Sequence, residues 1–224
     1  MAGSALSWSQ VSTTEPVRPG TAEGRKEHVT SVRRAKRRDA VANQERVLAA
    51  AATAVLRDGH QVPMSTIADL AGVGVGTLYR RYPTREALLG ALTERSFELV
   101  RTLAGQAAAR DEPGIASLDW FLEGTIRHGD RLVLPLHGGP AELSVLAQRI
   151  RAQVHASIEQ VVLRGQRDGT IAAGVTTMDV VIFGAMLAQP LPNALNWESV
   201  SRRQKAIFLA GIASALDRGS EGPA

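Results

Sequence analysis

Cysteine is absent from the 224 residues. That excludes a disulfide framework, a thiolate zinc site, an iron–sulfur cluster and a cysteine nucleophile. Long apolar runs are missing too. None approaches the roughly 18 residues that suggest a membrane span, so no membrane partner is expected. Aromatic residues make up only 4% of the chain, and both of its tyrosines, Tyr79 and Tyr82, stand three positions apart. Lysine is scarce, 3 against 23 arginines, a bias that points to GC-rich coding rather than to function. The first residues, MAGSALSWSQVSTTEPV, lack the basic start and apolar core of a signal peptide, and a cytoplasmic location is expected.

What is present is an ordinary soluble balance, 44% hydrophobic and 21% charged, in a length that suits one or two compact units. The net charge of +4 is uneven: residues 1–101 carry +5 and residues 102–224 carry −1. The densest basic piece is Arg33-Arg34-Ala35-Lys36-Arg37-Arg38. This asymmetry points to a polyanion partner for the N-terminal end; the alternative is a solvated tail.

Residues 1–32 are rich in Ser, Thr, Gly, Pro and charge, and with the basic cluster they are expected to form a disordered basic arm, residues 1–38. From Asp39 to about Arg57 the spacing of Val41, Leu48, Ala51, Ala52, Val55 and Leu56 predicts a helix, stopped by Asp58-Gly59. In the next block Pro63 and Ser65 start a short helix with Ile67, Ala68, Leu70 and Ala71 on its apolar side. Gly72 ends it, residues 73–76 turn, and Thr77 to Tyr82 fits a second short helix closed by Pro83. Thr84 is a good N-cap for a third. Beyond residue 105 the pattern is helix after helix. Leu143, Leu146, Ile150, Val154, Ile158 and Val161 form one stripe of a helix expected at 140–167, with further helices at 176–191 and 198–216. No strand-like alternation of useful length occurs, so the expected fold class is all-α.

Two short helices joined by a tight glycine turn form a helix-turn-helix. Ala68 and Ala71 supply small residues where the helices cross, and Gly72 and Gly74 tolerate positive φ. The second helix should enter the DNA major groove with its N-terminal residues Val75, Gly76 and Thr77 toward base edges. Tyr79 is favoured as a phosphate contact and Tyr82 as core, while Arg80, Arg81 and Arg85 place charge beside the backbone track or serve only as solvated cations.

The segment T-I-A-D-L-A-G-V-G-V-G-T-L-Y-R-R-Y-P-T-R-E-A-L-L, residues 66–89, resembles the DNA-binding domain of TetR-type transcriptional regulators. The shared positions are Ile67-Ala68, Ala71-Gly72-Val73, Thr77-Leu78-Tyr79, Tyr82, Arg85 and Leu88-Leu89. Gly165 to Ile171 resembles the usual end of that family's long seventh helix. The resemblance implies a three-helix DNA-binding domain with the helix-turn-helix, residues 39–90, and a helical effector-binding and dimerisation domain, residues 91–224. It also implies roles. Thr77 and Tyr79 would touch DNA; Val75, Gly76 and Arg80 would face bases or sugars; Arg85 would hold a phosphate; Ser65 would sit near the backbone; Leu78 would anchor the core. Lys36, Arg37 and Arg38 would reach an adjacent minor groove or the backbone. Pro63 departs from the family, which often has a capping Thr or Ser there. Gly74, Val75 and Gly76 offer few polar groups for base reading.

The resemblance further implies a cavity in the second domain for a small molecule. Candidates are Trp120, Phe121, Thr125, His128, His137, Met186, Gln189 and Trp197, large or polar residues amid apolar helices, each of which also fits plain core packing. No close metal spacing exists among the histidines, and no cofactor is expected beyond an unknown small-molecule effector. The helices at 176–191 and 198–216 are where the family dimerises; Val180, Val181, Phe183, Ile207, Phe208, Ile212 and Leu216 supply apolar area, some of it necessarily core. One short recognition helix touches few base pairs, so two copies roughly 34–36 Å apart on one DNA face are expected. The function expected is a ligand-responsive homodimeric repressor acting on a palindromic operator. Alternatives are a non-specific DNA architectural protein and, less in keeping with the pattern, a small helical enzyme. The glycines at 72–76 fail the spacing of a phosphate loop, and no Walker, HExxH or GxSxG sequence occurs.

Overall fold

A computed structural model describes residues 22–134, 142–189 and 196–214, with backbone only at 22–33, 35–37, 39 and 214. Contacts divide the chain into two units between Asn43 and Gln44. The described part of the first unit is the start of one helix; every other element belongs to the second. Among the described residues there are eight α-helices and no strands, as expected.

Helix α1 runs Ala22–Asp58. It begins well before Asp39, so residues 22–38, expected to be disordered, have a helical backbone. The stretch is made largely of Ala, Glu, Lys and Arg and lacks proline, a composition whose local propensity favours helix without a buried face. Gly59 ends α1 with φ +85°. Next come α2, Met64–Ala71; α3, Val75–Arg81; and α4, Arg85–Ala108. Thr84 caps α4 as expected, its Oγ1 accepting from the Ala87 N–H at 3.1 Å.

Two further helices, α5 at Gly114–Arg127 and α6 at Val145–Arg167, pack against α4. A 3-10 turn at Gly129–Arg131 comes after α5. The expected stripe on α6 holds in part: Ile150, Val154, Ile158 and Val161 are buried, Leu143 is partly so, and Leu146 is exposed. Ser144, whose Oγ accepts from the Ala147 N–H, starts the helix five residues later than expected. Gly114 and Gly165 let α5 and α6 approach backbone to backbone. A Cβ on Gly114 would lie 2.3 Å from the Gly165 Cα. Beyond that crossing, the free N–H groups of Gly114 and Ile115 at the start of α5 donate to Asp168 Oδ2 (2.8 Å) and Thr170 Oγ1 (3.3 Å). Arg164 closes the far end of α4. Its Nη1 donates to the carbonyls of Ala108 and Arg110, and its Nη2 to Ala107 O and Ser117 Oγ, all at 2.9–3.1 Å.

Helix α7, Thr177–Leu187, opens with a reciprocal capping box between Thr176 and Asp179. Helix α8, Trp197–Ser214, is held to α5 by Lys205, whose Nζ lies 2.9 Å from Asp119 and 2.7 Å from Glu123. One hydrophobic cluster gathers α4 to α8; another gathers residues 47–92 with one outsider, Val133.

Candidate functional site

Residues 62–82 form the helix-turn-helix. Gly72 has φ +66°, which L-residues adopt at a cost of about 1–2 kcal/mol. The Val73 N–H then reaches back to Ala68 O at 3.0 Å and closes the turn. Of the two glycines that tolerate positive φ, only Gly72 uses it; Gly74 sits at φ −64°, ψ 140° as the N-cap of α3. Helix α3 buries a single residue, Leu78, at 1% exposure. Beside it Tyr82, at its C-terminal cap, is buried as well.

Everything else on α3 faces outward. Val75, Gly76, Thr77, Tyr79, Arg80 and Arg81 are exposed, as is Ser65 on α2. A Cβ on Gly76 would meet nothing within 4 Å, so its bareness answers no packing demand inside the chain. Three arginines here have intramolecular partners. The Arg81 guanidinium donates to Gln44 Oε1, which draws it toward α1. Arg85 Nη1 donates to the carbonyls of His60 and Val62 in the α1–α2 loop, so this side chain fixes the loop to the start of α4. Arg80 leans on Thr77, Nη2 to Oγ1 at 3.4 Å. Of the basic arm, Arg38 is exposed; Lys36 and Arg37 have helical backbone, and their side chains lie outside the described residues.

A cavity of about 660 Å³ opens between α4, α5, α6 and α7. Of the candidates, Phe121 and Thr125 line it. Thr125 donates its hydroxyl proton to Leu122 O, 2.8 Å away, and so presents acceptor lone pairs to the interior. Five candidates lie elsewhere. Trp120 stacks under the Arg110 guanidinium, 5.1 Å from its ring centroid. His128 caps the end of α5. Met186 is exposed on the outside of α7. Gln189 turns its amide to Leu132 O. Trp197, also a candidate, donates to Leu187 O at 3.2 Å, and His137 falls outside the described residues. The reason is geometric: an amphipathic pattern marks which side of a helix turns inward, not where the interior is left unfilled.

Sequence patterning misses the polar wall of the cavity. Gln148, Arg151, His155 and Glu159 succeed one another at helical steps along α6, beside the buried Ile150, Val154 and Ile158. That flanking position is the available signal. Burial, and then the charge of Arg151, pushes the His155 imidazole below the usual histidine range. This favours the neutral ring, which offers one donor and one acceptor.

On α7 and α8 the expected apolar face is corrected in part. Val180 and Ile212 are buried in the chain's own core and have no surface to share. Phe183 and Phe208 stack on each other, centroids 4.0 Å apart. Ile207 is exposed, and so are Met178, Ile182 and Met186 at four-residue steps along α7 and Val200 on α8. Among the described residues no cluster of acidic or histidine side chains could hold a metal, and no helix is long and apolar enough to cross a membrane.

Residues 47–92 match the family model described as bacterial regulatory proteins, tetR family. No curated protein sequence matches the chain. Among solved structures, the TetR transcription regulatory protein from Mycobacterium vanbaalenii is 30% identical, with TM-score 0.57, covering 79% of this chain and 98% of that one. The regulator FadR from Bacillus subtilis, in complex with stearoyl-CoA, is 14% identical, with TM-score 0.57 and coverage of 75% and 99%. AibR, in complex with isovaleryl coenzyme A and operator DNA, is 14% identical, with TM-score 0.57 and coverage of 74% and 97%. The last two share the fold. With the Mycobacterium relative aligned over nearly its whole length, and with a glycine-turned pair of short helices offering its outer side to solvent, the chain belongs to the TetR family of DNA-binding transcriptional regulators.

Proposed function

We propose that this regulator is a homodimeric repressor whose operator affinity is set by a small amphipathic molecule in the α4–α7 cavity. One observation carries the DNA half of the reading. Helix α3 spends Leu78 on the core and turns Val75, Gly76, Thr77, Tyr79 and Arg80 to solvent. A surface helix with so little polar reach reads DNA by close approach: Val75 against a thymine methyl, Gly76 for backbone proximity, Thr77 and Tyr79 on phosphates. Arg81 and Arg85 then act less as free cations than as braces that orient the head, while Ser65 and the basic residues Lys36, Arg37 and Arg38 add backbone contacts. Residues 39–90 are the reading domain and residues 91–224 the sensing and dimerising one. The protein acts by binding rather than by catalysis, in the cytoplasm.

The effector class is inferred from the cavity wall. Apolar side chains of α4, α5 and α7 face a ladder of Gln148, Arg151, His155 and Glu159, which suits a greasy body with a polar or anionic end. An acyl-CoA is the first class to test, since two proteins of the same fold hold one. The exposed Met186, Val200 and Ile207 supply the self-association face, next to Met178 and Ile182, which border the cavity.

The experiment is selection of bound duplexes from a random pool, then titration of the winner with stearoyl-CoA. A palindromic consensus bound by two chains, weakened by the thioester, is expected. Equal retention of random and selected duplexes at physiological salt would replace this reading with non-specific packaging of DNA.

A further inference from the structure

Three consecutive residues connect the cavity to the reading head. Leu132 is extended, at φ −100° and ψ 108°, and successive side chains of extended backbone point to opposite sides. Leu132 and Leu134 are buried and line the cavity. Val133, fully buried between them, belongs to the other core, among Val47, Leu48, Ile67, Leu78 and Leu92. It is the one member of that cluster from outside residues 47–92 among those described.

Its backbone is fastened to α4 by two buried hydroxyls. The Val133 N–H donates to Ser96 Oγ at 2.8 Å, and Thr93 donates to Val133 O at 3.3 Å. On the opposite side, Gln189 at the end of α7 holds Leu132 O. The preceding turn touches the same helix end, where a Cβ on Gly129 would lie 2.2 Å from Ala188 O.

From this placement, and resting on the reading that the cavity takes an effector and α3 binds DNA, we propose that Val133 is the residue that transmits occupancy of the cavity to the head. Ser96 and Thr93 are its positioning pair. A molecule that shifts the backbone at Leu132 or Leu134 pulls on Val133 between them, whose N–H and carbonyl are tied to Ser96 and Thr93. Close-packed cores respond to such a push by repacking rather than by absorbing it.

The test uses the full-length chain, a duplex recovered by selection, and Ala185→Trp, which fills the cavity from α7, as a surrogate effector. Operator Kd is measured for the wild type, Ala185→Trp, Ser96→Ala, the double variant, and Ser96→Thr with and without Ala185→Trp. Filling is expected to change Kd by about 5-fold or more in the wild type. In the Ser96→Ala background it should change Kd by less than about twofold, the size of ordinary non-additivity. Ser96→Thr, which keeps the hydroxyl, should restore the response. A merely structural role for Ser96 would lower stability yet leave the response to filling intact, and that result overturns the proposal. So does duplex binding that ignores Ala185→Trp in the wild type. Failure to bind any duplex is a different outcome and strikes the proposed function itself. Melting curves confirm that each variant folds, and Thr93→Val, which removes the other hydroxyl and keeps the shape, gives a second route should Ser96→Ala not fold.

Discussion

The two cores are filled differently. Around the reading head, small and large apolar residues close the interior: Ala51, Ala54 and Ala68 are wholly buried beside Ile67, Leu78 and Leu88. Among the C-terminal helices, Phe97, Phe121, Leu132 and Val154 border about 660 Å³ that none of the described residues fills. A filled core fixes one geometry, which a helix that must match a groove requires. An unfilled one leaves stabilisation to be gained from a guest. The same chain is therefore closely packed around the helix-turn-helix and open where the proposed effector would sit.

Substitutions sharpen that contrast. Leu78→Ala empties space in the filled core and should cost about 2–5 kcal/mol, with loss of duplex binding in the same preparation; a small change in melting would mean that the head tolerates voids after all. Gly72→Ala keeps every contact, since a Cβ there meets nothing within 4 Å, and should still cost about 1–2 kcal/mol through its positive φ, read from denaturant midpoints.

A third test concerns the sensing half and acid. Burial alone would raise the Asp168 carboxyl, but hydrogen bonds from the Thr170 hydroxyl and the Gly114 and Thr170 N–H groups outweigh it, and the group is held below the usual aspartate range. A lowered folded value means stability that is present above the unfolded range, near pH 4, and lost as acid titrates the folded carboxylate below it. Asp168→Asn should lower the melting temperature at pH 7 and make no difference at strongly acid pH; equal effects at both would remove the ionised carboxylate from the explanation. The smallest effect is expected inside the cavity. Ala185→Leu adds bulk where space is free and should shift stability within about 0.5 kcal/mol, whereas comparable overpacking of a filled core costs about 1–3 kcal/mol.

How much is legible in the sequence respects the same divide. The helix-turn-helix is local: Gly72, Leu78, Tyr82 and Thr84 carry their roles within about twenty residues, and periodicity with turn chemistry finds them. Start and stop signals place the start of α4 and the bounds of α6, α7 and α8 to within about five residues, while α5 is given no bounds. The disorder expected for residues 22–38 fails because low hydrophobicity counts for less there than the helix-forming bias of Ala, Glu and Arg. The cavity is poorly legible because an unfilled space is made by several helices at once. Trp120 and Met186 resemble pocket residues by size, yet one lies beneath Arg110 and the other outside α7. Arg151 and His155 do not stand out because each is an ordinary polar residue at the margin of an apolar stripe. Arg85 shows a subtler limit: its position is foreseeable, but its bonds to His60 and Val62 depend on a loop whose path no local pattern reveals.

Arg164 has a mechanical consequence. Three hydrogen bonds from Arg164 hold the carbonyls of Ala107, Ala108 and Arg110 at the end of α4, and a fourth ties the same guanidinium to Ser117 on α5, so a tilt of α4 pivots there. At 1.5 Å per residue, Thr93 stands about 22 Å from that fulcrum and Arg85 about 35 Å. A nudge delivered at Thr93 is magnified roughly 1.6-fold at Arg85 by leverage alone, at the very residue that grips the loop in front of α2.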